Sequence, residues 1–209
     1  MEAKIVIPEV VKASWRYLKS QVWVLVGLFT GYILLYMIFW GIQLYTPPSS
    51  VTRLFMSLVL ALFSLVFYLG YYKNIFQTMD GEEPQFSAYG QQARKFFATF
   101  IGGILFAAIF IIGLILLVLP GIYMAIRLQF YVAAIVDDDM GAIDALKHSW
   151  DITRGQSLPL ILLAFVMVLV LIIGAVLFGI GLLIAAPMLY IMQCYVYRLL
   201  NRPLAIPEE

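Results

Sequence analysis

The sequence has little of what soluble enzymes and secreted domains depend on. Its 209 residues include one cysteine, one histidine and a charged fraction of only 12%, about half of what soluble domains carry. Cys194 has no second cysteine for a disulfide, and His148 has no second histidine with which to share a zinc ion. The net charge of +1 provides no basic field for nucleic acid. These shortages exclude a disulfide scaffold, and we expect no nucleic-acid partner and no cofactor.

Apolar residues make up 64% of the chain and gather in long runs. A helix needs roughly 20 mostly apolar residues to cross a bilayer. Four runs meet this length: Val22–Ile42, Leu54–Tyr72, Phe96–Leu119 and Leu158–Ile180. Two shorter runs, Ile122–Val136 and Leu182–Leu199, follow so closely that each is interpreted as the second arm of a helical hairpin. The sequence therefore predicts an all-α, polytopic membrane protein with six transmembrane helices in three hairpins, forming a single membrane domain over residues 1–209.

Prolines and glycines mark the predicted turns between these helices. Pro120 and Gly121 separate the third run from the fourth, and Gly179 and Gly181 separate the last two. The first hairpin turns through Thr46–Ser50, where paired prolines end a helix. Tight connections of this kind favour helices that lie side by side.

Charged residues are distributed unevenly between the two predicted sides of the membrane. All of the 13 lysines and arginines except Arg53 and Arg127 fall on one side, together with all 12 acidic residues. Cytoplasmic loops carry the excess of positive charge in membrane proteins. This side is therefore predicted to be cytoplasmic, and both termini are predicted to lie there.

A short amphipathic stretch precedes each predicted hairpin, and two of these stretches are similar. At an offset of 135 residues, Lys12 matches Lys147 and Ser14-Trp15 matches Ser149-Trp150. The middle stretch, residues 84–95, aligns loosely. We interpret the chain as three repeat-like units, residues 8–72, 84–136 and 141–200, each an amphipathic cytoplasmic-face helix followed by a hairpin.

The first and third of these helices have the spacing of helices that lie in a membrane surface. In the first, one face carries Val10, Val11, Ser14, Trp15 and Leu18, and another carries the basic residues. The predicted membrane-surface residues are Lys12, Trp15, Arg16, Lys19, Lys147 and Trp150. The alternative is that both helices are connectors that pack on protein. The mixed charge of the third helix suits that alternative.

Arg127 is the charged residue placed well inside a predicted span, whereas Arg198 lies at the end of the last one. A charge at the bilayer centre costs at least about 2.5–3.5 kcal/mol on insertion scales, and no acidic residue lies in any predicted span. In one interpretation the side chain reaches the outer boundary or binds carbonyl groups freed around Pro120 and Gly121. In the other, Arg127 and Gln129 bind a lipid phosphate or a substrate anion.

Three consecutive carboxylates, Asp137, Asp138 and Asp139, follow the fourth predicted span. Clustered carboxylates are suited to a hard cation such as Mg²⁺ or Ca²⁺, but the sequence lacks the spacing of a calcium loop. We interpret them as a polar stop and a helix cap, and we predict no metal site. The sequence also contains no GxSxG, HExxH, Walker A or GxGxxG pattern. No catalytic residue is predicted.

The stretch from Leu119 to Gly155 resembles the membrane domain of bacterial glycerophosphoryl diester phosphodiesterases and related YciC-like membrane proteins. The resemblance rests on a PGIY-x-x-IR hairpin, an acidic stop, an A-L-x-x-S-W element and a closing T-x-G. The matching residues are Pro120, Gly121, Ile122, Tyr123, Ile126, Arg127, Asp137, Gly141, Ala145, Leu146, Ser149, Trp150, Thr153 and Gly155. The resemblance implies a lipid-embedded module without a reaction of its own. We expect the membrane module alone, without a phosphodiesterase domain.

These observations lead to two main hypotheses about function, and they disfavour a third, a membrane-embedded lipid-modifying enzyme, because no predicted span carries an acid–base pair. The first is a non-enzymatic, multi-pass protein of the bacterial cytoplasmic (inner) membrane that organises lipid or partner proteins. Its expected partners are membrane lipids, chiefly anionic phospholipid, and a protein partner or a second copy of the chain. The second is a transporter or flippase that moves an amphipathic anion or lipid by means of Arg127 and Gln129.

Overall fold

The apolar runs of the sequence form the longest helices of the protein. The structure, a computed structural model, describes residues 5–176 and 179–201, and the ordered elements over that part of the chain are all helical. The α-helices are α1 (Ile7–Ser20), α2 (Val22–Leu44), α3 (Val51–Met79), α4 (Ser87–Gln92), α5 (Phe96–Leu116), α6 (Val118–Leu128), α7 (Tyr131–Asp137), α8 (Ala142–Ile152), α9 (Ser157–Val176) and α10 (Leu182–Asn201). A 3₁₀ turn at Ala93–Lys95 joins α4 to α5.

Within the described residues, six helical segments are long and apolar enough to cross a membrane. They are Val22–Leu44, Val51–Met79, Ser87–Leu116, Val118–Asp137, Ser157–Val176 and Leu182–Asn201. Each of the six predicted spans overlaps one of these segments. The predicted Phe96–Leu119 runs past the end of α5 at Leu116, and residues 177 and 178 of the predicted Leu158–Ile180 lie outside the described residues. Many large apolar side chains on them are exposed, including Val51, Ile115 and Leu119, and such a surface is suited to lipid. The all-helical class is confirmed for the described residues, and the six apolar segments support the predicted membrane protein.

Long helices that are neighbours in sequence pack against each other: α2 on α3, α5 on α6, and α9 on α10. Helices α5 and α6 approach closely where two glycines meet, since a Cβ atom on Gly113 would lie 2.8 Å from Gly121 Cα. That these pairs cross a bilayer as hairpins stays a prediction. The predicted cytoplasmic termini concern residues 1–4 and 202–209, which lie outside the described residues.

The turn between α5 and α6 differs from the predicted one. The chain reverses at Leu117, whose backbone is extended with φ −168° and ψ 147°, and α6 begins at Val118. Pro120 and Gly121 therefore lie within the first turns of α6. Proline is tolerated there because the first backbone N–H groups of a helix have no intrahelical acceptor.

Three short helices pack along the longer ones. Helix α1 packs chiefly on α10, with the rings of Tyr17 and Tyr195 6.2 Å apart. Helix α4 packs on α3, where a Cβ atom on Gly70 would clash with the ring of Tyr89. Helix α8 packs on α7 and α6. The short helices thus cover the second half of α3, the broken pair α6–α7, and α10.

The packed core lies where these helices meet. Its largest fully buried side chains include Tyr71, Phe76, Phe130, Leu160 and Tyr197. At its edge, Arg198 of α10 forms ion pairs with two carboxylates. One is Asp80, which follows α3, and the other is Asp137, with Arg198 Nη2 2.9 Å from Asp137 Oδ1. This guanidinium joins the ends of α3, α7 and α10. The same core contains Phe130 and Val132 of the fourth candidate span and Ala145 of α8, so these elements pack against each other.

Candidate functional site at the break in the fourth span

The fourth candidate span is broken near its middle, and α8 covers the break. Helix α6 ends at Leu128 and α7 begins at Tyr131. The N–H of Phe130 donates to Ser149 Oγ at 3.1 Å, and the Ser149 hydroxyl donates to the carbonyl oxygen of Arg127 at 2.8 Å. A single buried serine of α8 therefore pairs two backbone groups that the break releases. Such pairing is required wherever backbone is irregular in a low-dielectric region.

The side chain of Arg127 points from this break into a cage of neutral groups. It is 4% exposed. Its Nε donates to Thr153 Oγ1 at 2.8 Å and its Nη1 donates to the Tyr123 hydroxyl at 2.8 Å, while Nη2 donates to the carbonyl oxygen of Trp150. Thr153 Oγ1 also lies 2.7 Å from the Ser149 carbonyl oxygen, to which it donates. The guanidinium thus ties α6 to the end of α8.

Two aromatic rings complete the cage. Arg127 Cζ lies 4.1 Å from the ring centroid of Trp150 and 5.6 Å from that of Tyr123, and the two rings are nearly perpendicular. Across the described ranges, Arg127 forms no ion pair with a carboxylate. The charge is stabilised by oriented dipoles and by ring faces, which contribute about 2 kcal/mol or more when the cation is desolvated. The interpretation that its partners are carbonyls around Pro120 and Gly121 was therefore wrong, because α8 supplies the carbonyl.

Gln129 does not share this cage. Its Nε2 donates to the Ile126 carbonyl oxygen at 2.9 Å, and its own carbonyl oxygen accepts from Gln193 Nε2 at 3.3 Å. Residues two apart on a helix point to different sides. The structure therefore does not bring Arg127 and Gln129 together as one anion-binding pair.

The predicted surface residues of α8 divide between protein and solvent. Trp150 is half-buried on Arg127, while Lys147 is exposed. The buried face of α8 consists of Ala145, Leu146 and Ser149. Helix α8 accordingly docks on protein through the face that carries Ser149, which is the alternative that the mixed charge of this helix favoured.

Helix α1 is oriented differently from the prediction. It buries Val10, Ala13, Ser14 and Leu18. Trp15 is 43% exposed, because it stands one residue, or about 100°, further round the helix than Ser14. The exposed surface also carries Lys12, Arg16 and Lys19. The tryptophan that was predicted to share the apolar face instead joins the basic one.

The three consecutive aspartates have three different sets of partners. Asp137 pairs with Arg198, Asp138 accepts from the Tyr197 hydroxyl and from Asn201 Nδ2, and Asp139 pairs with Lys95 and Arg94. Their carboxylates are directed apart. No group of three His, Cys, Asp or Glu residues suited to a metal ion is found in residues 5–176 and 179–201.

Lys95 closes the C-terminal end of α7. Its Nζ donates to the carbonyl oxygens of Ile135 and Val136 at 2.8 and 3.0 Å, and lies 2.7 Å from Asp139 Oδ1. A cation at this end of a helix is favourable because the last carbonyl groups have no intrahelical donor. The hydrogen bond and the charge of Lys95 lower the pKa of the Asp139 carboxyl group. Asp139 itself has φ 59°, a left-handed conformation that aspartate tolerates better than most residues.

Sequence reasoning found part of this arrangement and missed the rest. Five residues quoted for the family resemblance, Tyr123, Arg127, Ser149, Trp150 and Thr153, meet in the cage. Lys95 and Arg198 were counted only as cytoplasmic charges. The sequence did contain a signal for the role of Arg198, since a basic residue inside an apolar run requires a partner. Asp80 and Asp137 lie at the ends of the second and fourth candidate spans, and Arg198 lies near the end of the sixth.

Over the part of the chain that the structure describes, the fold and the cage define a class of protein: an all-helical bundle with six helices apolar enough to cross a membrane, one of them broken and braced by a buried arginine. A known family, described as "Domain of unknown function (DUF7847)", matches residues 86–202, which is more than half of the chain. The chain belongs to this family. The matched region contains α5 to α10 and the entire Arg127 cage.

Two curated relatives are uncharacterised proteins, one from Mycobacterium tuberculosis and one from Mycobacterium bovis. Each is 29% identical over 159 residues, which make up 75% of this chain and 48% of the relative. The chain therefore spans about half the length of the curated relatives it matches. No solved structure matches the chain. The resemblance to the phosphodiesterase membrane domain stays a prediction.

Proposed function

We propose that the protein is a non-enzymatic module of the bacterial cytoplasmic membrane that binds anionic phospholipid through the exposed face of α1. The observation that carries this proposal is the orientation of α1. One side of α1 packs on the bundle and carries Val10, Ser14 and Leu18. The opposite side remains exposed and carries Trp15, Arg16 and Lys19. The lipid-binding face consists of these last three residues.

The composition of this face suits the boundary between headgroups and hydrocarbon. Lys19 Nζ lies 5.7 Å from the ring centroid of Trp15, and Arg16 Cζ lies 5.6 Å from that of Tyr17. Tryptophan and tyrosine prefer the interface, and each basic residue near an anionic surface contributes about 1 kcal/mol. Helix α1 ends one residue before α2, the first candidate span. This connection supports a position of α1 at the cytoplasmic membrane surface, with the N-terminus on that side.

Lipid retention in native mass spectrometry tests the proposal. The full chain carrying Arg16→Gln and Lys19→Gln is compared with a matched control carrying Lys147→Gln and Arg154→Gln, two exposed basic residues outside α1. Both proteins are titrated with phosphatidylglycerol and with phosphatidylcholine. Loss of two charges that each contribute about 1 kcal/mol weakens phosphatidylglycerol binding roughly 30-fold. The control variant should bind phosphatidylglycerol with the wild-type affinity, and the affinity for phosphatidylcholine should be the same in all three proteins.

Two results overturn the proposal. Equal phosphatidylglycerol retention by the α1 variant and the control removes α1 as the lipid-binding element. Loss of phosphatidylglycerol from an Arg127→Leu variant, with retention by the α1 variant, assigns the anion to Arg127 and supports a transporter or flippase. Exposed apolar helix faces are also available to a protein partner or a second copy, and either is detected as an added mass in the same spectra.

A further inference from the structure

A cavity of about 370 Å³ lies between α2, α3 and α10, away from Arg127 and from α1. Most of its wall is aromatic: Phe29, Tyr32, Phe67, Tyr68, Tyr71 and Tyr190. Tyr32 lies ten residues into α2 and Tyr190 eight residues into α10, which places both about 12–15 Å from the helix starts. The cavity therefore lies near the middle of three candidate spans, and none of its lining residues carries a charge.

The hydroxyl groups of this cavity are all paired within the described residues except one. Tyr32 donates to Ser64 Oγ at 3.1 Å, and Ser64 donates to the Leu60 carbonyl oxygen at 2.7 Å. Tyr68 donates to Tyr72, and Tyr71 donates to the Leu25 carbonyl oxygen, each at 3.2 Å. Among the described residues, the hydroxyl of the half-buried Tyr190 has no hydrogen-bond partner. Its hydroxyl is a donor that a ligand in the cavity can use.

The walls select a flat, neutral ligand. Tyr190 meets Tyr71 and Tyr68 edge to face, with centroid distances of 5.5 and 5.8 Å, while Tyr32 and Phe67 are stacked at 4.2 Å. Ring faces and edges at these angles complement another planar ring. A charged ligand would have no counter-charge among the lining residues and would be costly to bury. The free hydroxyl favours a ring that carries a hydrogen-bond acceptor.

An apolar groove of about 770 Å³ adjoins the cavity and shares Tyr32 and Phe67 with it. It runs between α2 and α3 past Gly27 and Gly31, and a Cβ atom added to either glycine would have nothing within 4 Å. The groove is wide enough for a flexible hydrocarbon chain and is lined almost wholly by apolar and aromatic residues.

We propose that the cavity and groove bind a membrane-soluble quinone, with its carbonyl oxygen accepting a hydrogen bond from Tyr190 and its hydrocarbon tail in the groove. This site goes beyond the phospholipid surface proposed for α1 and does not depend on it. Binding requires no redox step. The ligand enters from the bilayer, since the groove is bounded by the exposed apolar residues Leu34, Leu35 and Ile38.

Equilibrium binding of decylubiquinone to the full chain in phosphatidylcholine nanodiscs tests the site, with decylbenzene as the ligand without a carbonyl. Tyr190→Phe removes only the hydroxyl, and Tyr45→Phe is the matched control, since Tyr45 is 93% exposed beyond α2. We expect Tyr190→Phe to weaken decylubiquinone binding about 5–10-fold. Tyr45→Phe leaves it unchanged, and decylbenzene binds more weakly and equally to wild type and to the two tyrosine variants.

Gly31→Leu provides a second, independent test, because a Cβ atom added at this position has nothing within 4 Å and the side chain would occupy space in the groove. It should reduce decylubiquinone affinity while leaving thermal stability intact. The proposal is overturned by equal binding of decylubiquinone and decylbenzene, by an unchanged affinity in Tyr190→Phe, or by tighter binding of tetraphenylphosphonium, which would indicate an aromatic cage for cations. Arg16→Gln with Lys19→Gln leaves decylubiquinone binding unchanged, so failure of this site and failure of the α1 surface are distinguishable.

Discussion

Arg127 Nε donates a hydrogen bond to Thr153 Oγ1 at 2.8 Å, which links the middle of the fourth candidate span to the segment that leads into α9. The same guanidinium bonds Tyr123 and the Trp150 carbonyl group. One side chain therefore holds α6 and α8 together. Because its partners are neutral, geometry and not charge pairing sets the orientation of these elements.

Replacing Arg127 with leucine should destabilise the protein without preventing insertion. The buried Thr153 hydroxyl and the part-buried Trp150 carbonyl and Tyr123 hydroxyl lose their donor, which costs about 2–4 kcal/mol and lowers Tm in detergent by roughly 5–15 °C. Arg127→Lys should recover little, because one ammonium group cannot reach three acceptors. Arg154→Leu, an exposed change in the same segment, is the control. An Arg127→Leu protein with the wild-type Tm would refute the bracing role.

Two buried serines at matching positions of α1 and α8 should respond differently to alanine. Ser149 Oγ bonds the Phe130 N–H and the Arg127 carbonyl oxygen, whereas the equally buried Ser14 Oγ has no hydrogen-bond partner in the part of the chain described. Ser149→Ala leaves the Phe130 N–H unpaired and removes one of the two hydroxyl donors to the Arg127 carbonyl oxygen, the other being Thr153 Oγ1 at 3.2 Å, and it should cost about 1–3 kcal/mol. Ser14→Ala should be neutral or slightly stabilising. Thermal unfolding of both variants measures the difference, and equal Tm values would show that the break in the span needs no cover.

Arg198→Met should be among the most destabilising changes at the ends of the candidate spans. It leaves Asp137, whose side chain is 6% exposed, as a buried carboxylate without its cation, and breaking a buried pair costs about 3–5 kcal/mol. Adding Asp137→Asn should recover part of the loss. Arg94→Met is the comparison, because its pair with Asp139 is exposed and such pairs contribute about 0–1 kcal/mol. The four Tm values form the test, and a double variant no more stable than Arg198→Met would contradict it.

Stability at low pH should depend in part on Asp139. Lys95 lowers the pKa of this carboxyl group in the folded protein, so its contribution is present above the unfolded value of about 3.9 and is lost as the pH falls through the folded value. Asp139→Asn, which also tolerates the left-handed backbone, should lose less stability than wild type below about pH 4. Tm measured from pH 3 to pH 6 tests this. Parallel curves of Tm against pH for the two proteins would exclude a role for Asp139. In a Lys95→Met background, the difference between the proteins with and without Asp139→Asn should become smaller.

The apolar runs were sufficient to predict the helices because a long uncharged segment in a bilayer must pair all of its backbone groups within itself. That requirement is local and acts on each run separately. It predicts six helices, for Val22–Ile42, Leu54–Tyr72 and the four later runs, and each run overlaps a helix in the described part of the chain. The turn was misplaced by a few residues because Pro120 is equally suited to the first turn of a helix and to a loop.

The partners of Arg127, of Asp137 and of Lys95 were decided only by tertiary structure. Composition indicated that Arg127 needed a partner, and the predicted third amphipathic helix follows it closely in the chain. The selection of Thr153 and the Trp150 carbonyl as partners depends on how α8 folds back along α7. The same holds for Trp15, which a rotation of about 100° moves from the buried to the exposed face of α1. Helix formation follows from local sequence. The pairing of buried polar groups depends on the relative positions of helices distant in sequence, and packing alone sets those positions.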